Sequence, residues 1–219
     1  MLLAIDTATK SMGVAVHDGG AILAEVVWTG KGYHTVDLAP EVGLILNRIG
    51  TNVDHLTAVA VVTGPGSFTG LRIGLALAKG MALSHKLDLV GIPTHEVVAY
   101  GQPRRKEEMV AVIRAGRSRL STVRFVYKQE GWQQQGSPLN QTWDELIESL
   151  ESPVYLCGEL DSGDRKRLAE NERVILASPA LCVRRPGVLA DLGWQRLRAG
   201  KIIHPAQLIP IYTRSASGL

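Results

Sequence analysis

Residues 58–74 read Ala58-Val59-Ala60-Val61-Val62-Thr63-Gly64-Pro65-Gly66-Ser67-Phe68-Thr69-Gly70-Leu71-Arg72-Ile73-Gly74, and their order decides the fold. The opening run is short, apolar and rich in valine, the pattern of a strand buried on both faces. Gly64 to Gly70 then hold three glycines, one proline and two hydroxyl side chains. Glycine permits positive φ and close backbone approach, while proline stiffens a turn. Ser67 or Thr69 is placed to cap a helix that is rich in Leu and Ala, free of proline, and runs to Lys86. Strand, glycine turn and helix in that order predict an α/β protein.

On a helical wheel Arg72, Lys79 and Lys86 share one stripe, and nearly everything else around it is apolar or small. Gly70, Gly74, Ala78 and Ala82 recur at every fourth position, flanked by Leu71, Leu75 and Leu77, so that another backbone can approach that edge closely. A helix lying on one sheet needs only one apolar face. The second is either a surface for a partner or the seat of another layer of the same chain. A glycine turn opening a helix also presents amides to an anion, which makes Gly64, Gly66 and Ser67 a candidate phosphate loop. No Lys-Ser or Lys-Thr pair follows it, so it is not a P-loop. Nor does Ser67 lie in a G-x-S-x-G elbow. By chemistry alone the loop reads as a structural turn.

The chain has 219 residues, 45% hydrophobic and 21% charged, enough for one large domain or two lobes with ample core. A net charge of +3 is mild. Basic residues cluster at Arg104-Arg105-Lys106, between Arg114 and Arg124, at Arg165-Lys166-Arg167 and at Arg184-Arg185. Such clusters are solvated faces first and RNA contacts second. Cys157 and Cys182, the two cysteines, stand in apolar settings, the usage of buried thiols in a reducing compartment. No signal-peptide pattern opens the chain and no apolar run is long enough to span a bilayer, so a cytosolic protein is expected.

Residues 2–5 predict a strand ending at Asp6-Thr7-Ala8-Thr9, and 12–16 and 21–28 predict two more, joined by the hairpin signal Asp18-Gly19-Gly20. Three opening strands with Asp-Thr at the first turn resemble the nucleotide-binding lobe of actin, sugar kinases and Hsp70. There the acidic residue helps place metal and phosphates, whereas Asp6 and Thr7 are equally ordinary turn formers. A helix over 34–49 carries Leu38, Val42, Ile45 and Ile49 on one face, with Pro40 near its first turn. His34, at its start, reads as a capping or packing group. A strand over 89–92 and a helix over 94–100 follow. The polar stretch 101–108 then marks a boundary between a first lobe, residues 1–101, and a second, residues 102–219. The second lobe is predicted to contain strands over 109–113, 121–128, 154–157 and 174–177. A glutamine-rich turn covers 129–136, and helical segments cover 143–150 and 165–171. A final amphipathic helix over 187–199 is placed to pack back on the first lobe, before an extended end at 208–212. No internal repeat is evident.

No arrangement carries a complete reaction. The six histidines nowhere form H-x-x-x-H or pair with cysteines at ligand spacing, and no metal or cofactor is expected. Asp6 and Glu96 are the carboxylates nearest predicted strand ends, the one as a turn former, the other as a first-turn helix charge.

Several of these residues together resemble the TsaB family, formerly YeaZ. They are Ala4 to Ala8, His34-Thr35 with Leu38 and Pro40, Gly64 to Gly74 with Ala78-Lys79-Gly80, and Pro210 to Arg214. The likeness is dense over roughly the first hundred residues. It implies an actin/Hsp70-like (ASKHA) two-lobe fold of mixed sheets flanked by helices. It also implies a noncatalytic role in making threonylcarbamoyladenosine at position 37 of tRNA. In that family TsaB pairs with TsaD, which holds the metal and transfers the group, or with itself when alone; TsaE is an associated ATPase. The pairing helices match residues 34–49 and 70–86, so the resemblance marks His34, Leu38, Val42, Ile45, Gly70, Leu71, Gly74, Leu75, Ala78 and Ala82 as partner-facing. Contact with tRNA comes through the complex, and no membrane is involved. An alternative within the same superfamily is a nucleotide-dependent ATPase or kinase using Asp6, Thr7 and the Gly64–Gly66 loop; a protease lacks a visible nucleophile and base. One departure stands out: members often carry Asp-Ala-Arg or Asp-Ala-Gly-Arg after the second lobe's first strand, where this chain has Arg114-Ala115-Gly116-Arg117.

Overall fold

Alternation of side chains along the first strands sorts the chain's apolar residues into two layers. Leu3 and Ile5 point to one face of β1 (Leu2–Asp6), Leu2 and Ala4 to the other, and all four are fully buried. A computed structural model of the protein describes residues 1–30, 34–116, 119–129 and 131–212, with the side chains of residues 34 and 35 outside the description. Met1–Val97 and Arg185–Tyr212 form one unit and Val98–Arg184 a second.

In the first unit β1, β2 (Ser11–His17) and β3 (Ile22–Thr29) form an antiparallel meander, and β4 (Ala58–Gly64) and β5 (Asp88–Pro93) extend it in parallel. The order is β3-β2-β1-β4-β5. Asp18 turns the first hairpin by accepting the backbone N–H groups of Gly20 and Ala21 at 2.8 Å each. On one face lie α1 (His34–Arg48) and α2 (Phe68–His85), packed with Leu38, Val42, Ile45, Leu75 and Ala78 on Leu3, Ile5, Val59 and Val61. On the other lies α6 (Pro186–Arg198), whose Leu189 and Ala190 meet Leu2, Ala4, Ala58 and Ala60. The alanines matter: a Cβ on Gly193 would come within 2.5 Å of the Ala60 Cβ, so this helix needs a flat floor and glycine to lie so close. Arg196 holds the far end of α6 by donating to the Gly91 carbonyl at 2.7 Å and pairing with Glu96.

The second unit repeats the same connectivity. Its sheet runs β8-β7-β6-β9-β10, with β6 (Glu108–Arg114), β7 (Leu120–Lys128) and β8 (Gly131–Gln141) antiparallel and β9 (Val154–Gly158) and β10 (Val174–Leu176) parallel to β6. Helices α4 (Trp143–Glu148) and α5 (Ser162–Ala169) follow its third and fourth strands, as α1 and α2 do in the first unit. The two sheets are therefore a structural duplication with no sequence repeat to announce it. Between the units the chain divides at Val97/Val98, inside α3 (Thr94–Tyr100), rather than in the polar stretch after it.

Two segments depart from the sequence reading. The glutamine-rich stretch is a long edge strand rather than a turn, with its ladder shifted around Gly136 to Pro138. Proline and exposed polar residues are what an unpaired sheet edge tolerates. Helix α5 starts three residues early, because Asp161 and Asp164 form a reciprocal capping box.

Candidate functional site

The glycine loop meets its own chain. Thr7 Oγ1 donates to the Gly70 carbonyl at 2.8 Å, and the Ser67 backbone N–H donates to the Ala8 carbonyl at 2.5 Å. Ser67 Oγ in turn caps α2 by accepting the Gly70 N–H at 3.3 Å. A Cβ on Gly66 would collide with the Ala8 backbone, and one on Gly74 with the Thr7 side chain. Gly64, at φ +111°, is crossed by the Ile211 backbone, whose N–H donates to the Thr63 carbonyl at 2.7 Å. Asp6 is buried and accepts the Ala8 N–H at 2.9 Å. The five residues read as a phosphate loop thus come together, but as a lock between two turns. The Ser67 and Gly70 amides are spent on the chain itself, and Ala8 packs directly against Gly66.

The partner-facing set requires correction. Leu38, Val42, Ile45, Gly70, Leu71, Gly74, Leu75, Ala78 and Ala82 are all buried within the first unit, the leucines, valine, isoleucine and alanines at no more than 5% exposure. The small-residue edge of α2 admits close approach as the wheel requires, and the approaching group is Thr7 of the same chain. The side chain of His34 lies outside the described residues. What faces outward is the opposite side of both helices. On α1 it comprises Val36 (66% exposed), Pro40, Gly43 and Leu44 (56%); on α2 it comprises Phe68 (53%), Ala76, Gly80 and Leu83 (67%), with Ile73 and Leu77 half-buried beside them. Large apolar side chains exposed on both of two packed helices are more than single scattered residues on a surface that meets water. A Cβ on Gly43 or Gly80 would meet nothing within 4 Å, so those backbones are open to a neighbour.

A strap borders this face. Leu208 is buried against the α1–α2 side of the sheet, and Ile203 donates its N–H to the Leu89 carbonyl at 2.8 Å. Tyr212, at its end, lies 5.2 Å from Phe68 by ring centroids and accepts from Arg72 Nε at 3.2 Å. Thr213 and Arg214, part of the quoted likeness, lie outside the described residues.

In the second unit Arg114 takes the strand-end position that Asp6 takes in the first. Its guanidinium pairs with Asp161 at 2.6 Å and with Asp164, and its backbone N–H donates to Glu159 Oε2 at 2.9 Å. Arg184, nearly buried, holds the other Glu159 oxygen at 2.6 Å. Arg114 is thus the counter-ion of the α5 cap. Burial pushes the Cys157 thiol up, with Cys182 adding to the shift, and both cysteines are free. Among the described residues no three His, Cys, Asp or Glu side chains gather as a metal site, and no helix is long and apolar enough to cross a membrane.

A family model described as "TsaD: tRNA N6-adenosine threonylcarbamoyltransferase" matches residues 21–148. The chain is 29% identical over 222 residues to the tRNA threonylcarbamoyladenosine biosynthesis protein TsaB of Bacillus subtilis, covering 98% of this chain and 94% of that one. It is 39% identical over 104 residues to TsaB of Escherichia coli, covering 48% and 45%. The solved structure of YeaZ from Pseudomonas aeruginosa superposes with a TM-score of 0.77 at 23% identity, over 97% of this chain and 99% of that one, which speaks to fold. Two mixed sheets of matching order, each flanked by helices, are the actin/Hsp70-like architecture that the opening strands resemble.

Proposed function

The chain belongs to the family of the TsaD model and, within it, to the TsaB (YeaZ) group, and from that premise we propose that it serves tRNA threonylcarbamoyladenosine biosynthesis as a noncatalytic scaffold that pairs with TsaD. The observation that carries the reading is the outward apolar face of α1 and α2. Its anchors Val36, Leu44, Phe68 and Leu83 are more than half exposed, on helices whose other sides already fill the core. Burying such side chains against a partner contributes about 1.5–3 kcal/mol each before the costs of association. A second support is the tied loop: the Thr7 hydroxyl is bonded to the Gly70 carbonyl and the Ser67 N–H to the Ala8 carbonyl, so these groups of the glycine loop serve the chain's own packing rather than a nucleotide. The same face pairs two copies of the chain when TsaD is absent. Within the complex, TsaE and tRNA are the further partners.

Size-exclusion co-elution of the full chain with TsaD tests this directly. The wild-type chain co-elutes, whereas Leu44→Glu and Leu83→Glu remain folded by circular dichroism and do not. Co-elution of both variants at wild-type strength would remove the assignment. ATP hydrolysis by the isolated chain, abolished by Asp6→Ala, would put the nucleotide-dependent enzyme in its place.

A further inference from the structure

Carboxylates answer several of the second unit's arginines: Arg114 pairs with Asp161 and Asp164, Arg119 with Glu145, Arg124 with Glu108, Arg167 with Asp144 and Arg184 with Glu159. Around the β7–β8 hairpin and the segment after α3 the cations are left bare. Arg104, Arg105, Lys106 and Lys128 have no carboxylate partner among the described residues. Glu107 is half-buried and bridges none of them; Glu130, near the hairpin tip, lies outside the described residues. Two of the four cations rest on aromatic rings instead. The Arg104 guanidinium carbon lies 5.5 Å from the Tyr127 ring centroid, and that of Arg105 lies 4.4 Å from the Tyr155 centroid. Such pairs occur roughly once per 70–80 residues, so two from successive residues mark a concentration. The rings are held firmly. Tyr127 meets Trp132 edge-on at 5.3 Å between centroids, Trp132 Nε1 donates to the Gln102 carbonyl at 3.2 Å, and the Tyr155 hydroxyl donates to Gln102 Oε1 at 3.0 Å. Arg105 covers a ring that is fully buried, whereas Arg104, Lys106 and Lys128 are exposed and Tyr127 and Trp132 are half-buried.

We propose that this corner of the second unit, with Arg104, Lys106 and Lys128 around the rings of Tyr127 and Trp132, binds a single-stranded segment of RNA directly. Phosphates supply the counter-charge that the three exposed cations lack. The guanidinium plane of Arg104 and the ring of Tyr127 offer an unpaired base a surface on which to stack. Because Arg104 already rests on Tyr127, little side-chain freedom is lost on binding. A duplex keeps its bases inside and meets the charge alone. An acidic peptide does the same and leaves the rings idle. The proposal goes beyond the scaffold reading, in which the chain reaches RNA through a partner. Its residues lie in the second unit and the pairing helices in the first, so either reading can fail while the other stands.

The test is fluorescence anisotropy of a labelled single-stranded RNA of about 12 nucleotides, titrated with the full chain alone at several salt concentrations. Arg104→Gln is expected to weaken binding about fivefold and to lower the slope of log affinity against log salt by about 0.7, the share of one phosphate contact on a single strand. Tyr127→Leu is expected to weaken binding about tenfold with the slope unchanged, because it removes a stacking surface and no charge. Tyr127→Phe keeps the ring and is expected to bind like wild type, which separates loss of the ring from damage to the hairpin. Lys166→Gln removes an exposed charge from α5, which covers the opposite face of the second sheet, and is expected to change nothing. Wild-type chain that binds no RNA overturns the proposal, and so do Arg104→Gln and Tyr127→Leu variants that bind like wild type. A Lys166→Gln variant as weak as Arg104→Gln overturns it too, since the attraction would then be diffuse. Duplex RNA of the same length, or polyglutamate, held as tightly as the single strand would show a surface that reads charge alone and would remove the single-stranded RNA assignment. Loss of RNA binding in these variants with co-elution with TsaD intact is the expected pattern.

Discussion

The Thr7 hydroxyl donates to the Gly70 carbonyl at 2.8 Å, tying the first turn of the chain to the first turn of α2. Next along the helix, Gly74 offers the Thr7 side chain a bare Cα. The pair explains which side of α2 faces inward: the edge that lets a backbone come close is the one that the β1–β2 turn occupies. Gly74→Ala is therefore expected to destabilise the fold by about 1–3 kcal/mol, because the added methyl has no room in a packed site. Gly80→Ala, in open space on the same helix, is expected to stabilise it by roughly 0.5–1 kcal/mol. Thr7→Val keeps the shape and loses the hydrogen bond, at a cost of about 1 kcal/mol. Urea midpoints of the three variants check the order; a Gly74→Ala variant as stable as wild type would show that the contact is not tight.

Two alanines separated by one residue of α2 divide the core from the pairing surface. Ala78 is fully buried and Ala76 is exposed. Glutamate at position 78 places a charge without a counter-ion between helix and sheet, a cost of several kcal/mol, so Ala78→Glu is expected to yield unfolded or insoluble chain. Ala76→Glu is expected to fold with a melting temperature near that of wild type and to fail in association with TsaD and with itself. Circular dichroism followed by co-elution separates the two. A folded Ala78→Glu chain that merely fails to associate would restore the small-residue edge as the interface.

The elements of the first unit were legible because each follows a strong local rule: valine runs for strands, Asp18-Gly19-Gly20 for a hairpin, Ser67 as a cap. The orientation of α2 was not. A helix apolar nearly all round has no wheel that says which side meets the sheet, and the answer lies in Thr7 and Ala8, some sixty residues away. Reading the Gly70–Ala82 edge as outward therefore failed for want of a tertiary contact, while the helix itself and its close-approach character were readable. The strand β8 escaped for the opposite reason. Its Gln133, Gln134 and Gln135 are exposed on a sheet edge, so no burial imprints period two on them. The equivalence of Arg114 with Asp6 could be seen only once the two sheets showed the same strand order, since the residues themselves share nothing.

Acid should act on the α5 cap through Asp161. Its carboxyl lies below the usual range because it accepts the Asp164 backbone N–H at 2.9 Å, with burial opposing and the Arg114 guanidinium adding to the effect. A carboxyl with a depressed folded pKa stabilises the fold above the unfolded value, about 3.9 for Asp. That contribution is lost as the pH falls through the folded value. Asp161→Asn keeps an oxygen for the cap but carries no charge to lose. The stability difference between wild type and Asp161→Asn is thus expected to be full at pH 7, to shrink as the pH drops below the unfolded Asp value, and to disappear below the folded one. Urea midpoints of both chains at several acid pH values, repeated in an Arg114→Met background, measure it. The Arg114→Met change should reduce the difference at pH 7 without abolishing it, since the backbone N–H is the larger cause. A difference between wild type and Asp161→Asn that stays constant through the acid range would mean that the carboxylate's charge contributes nothing to the cap.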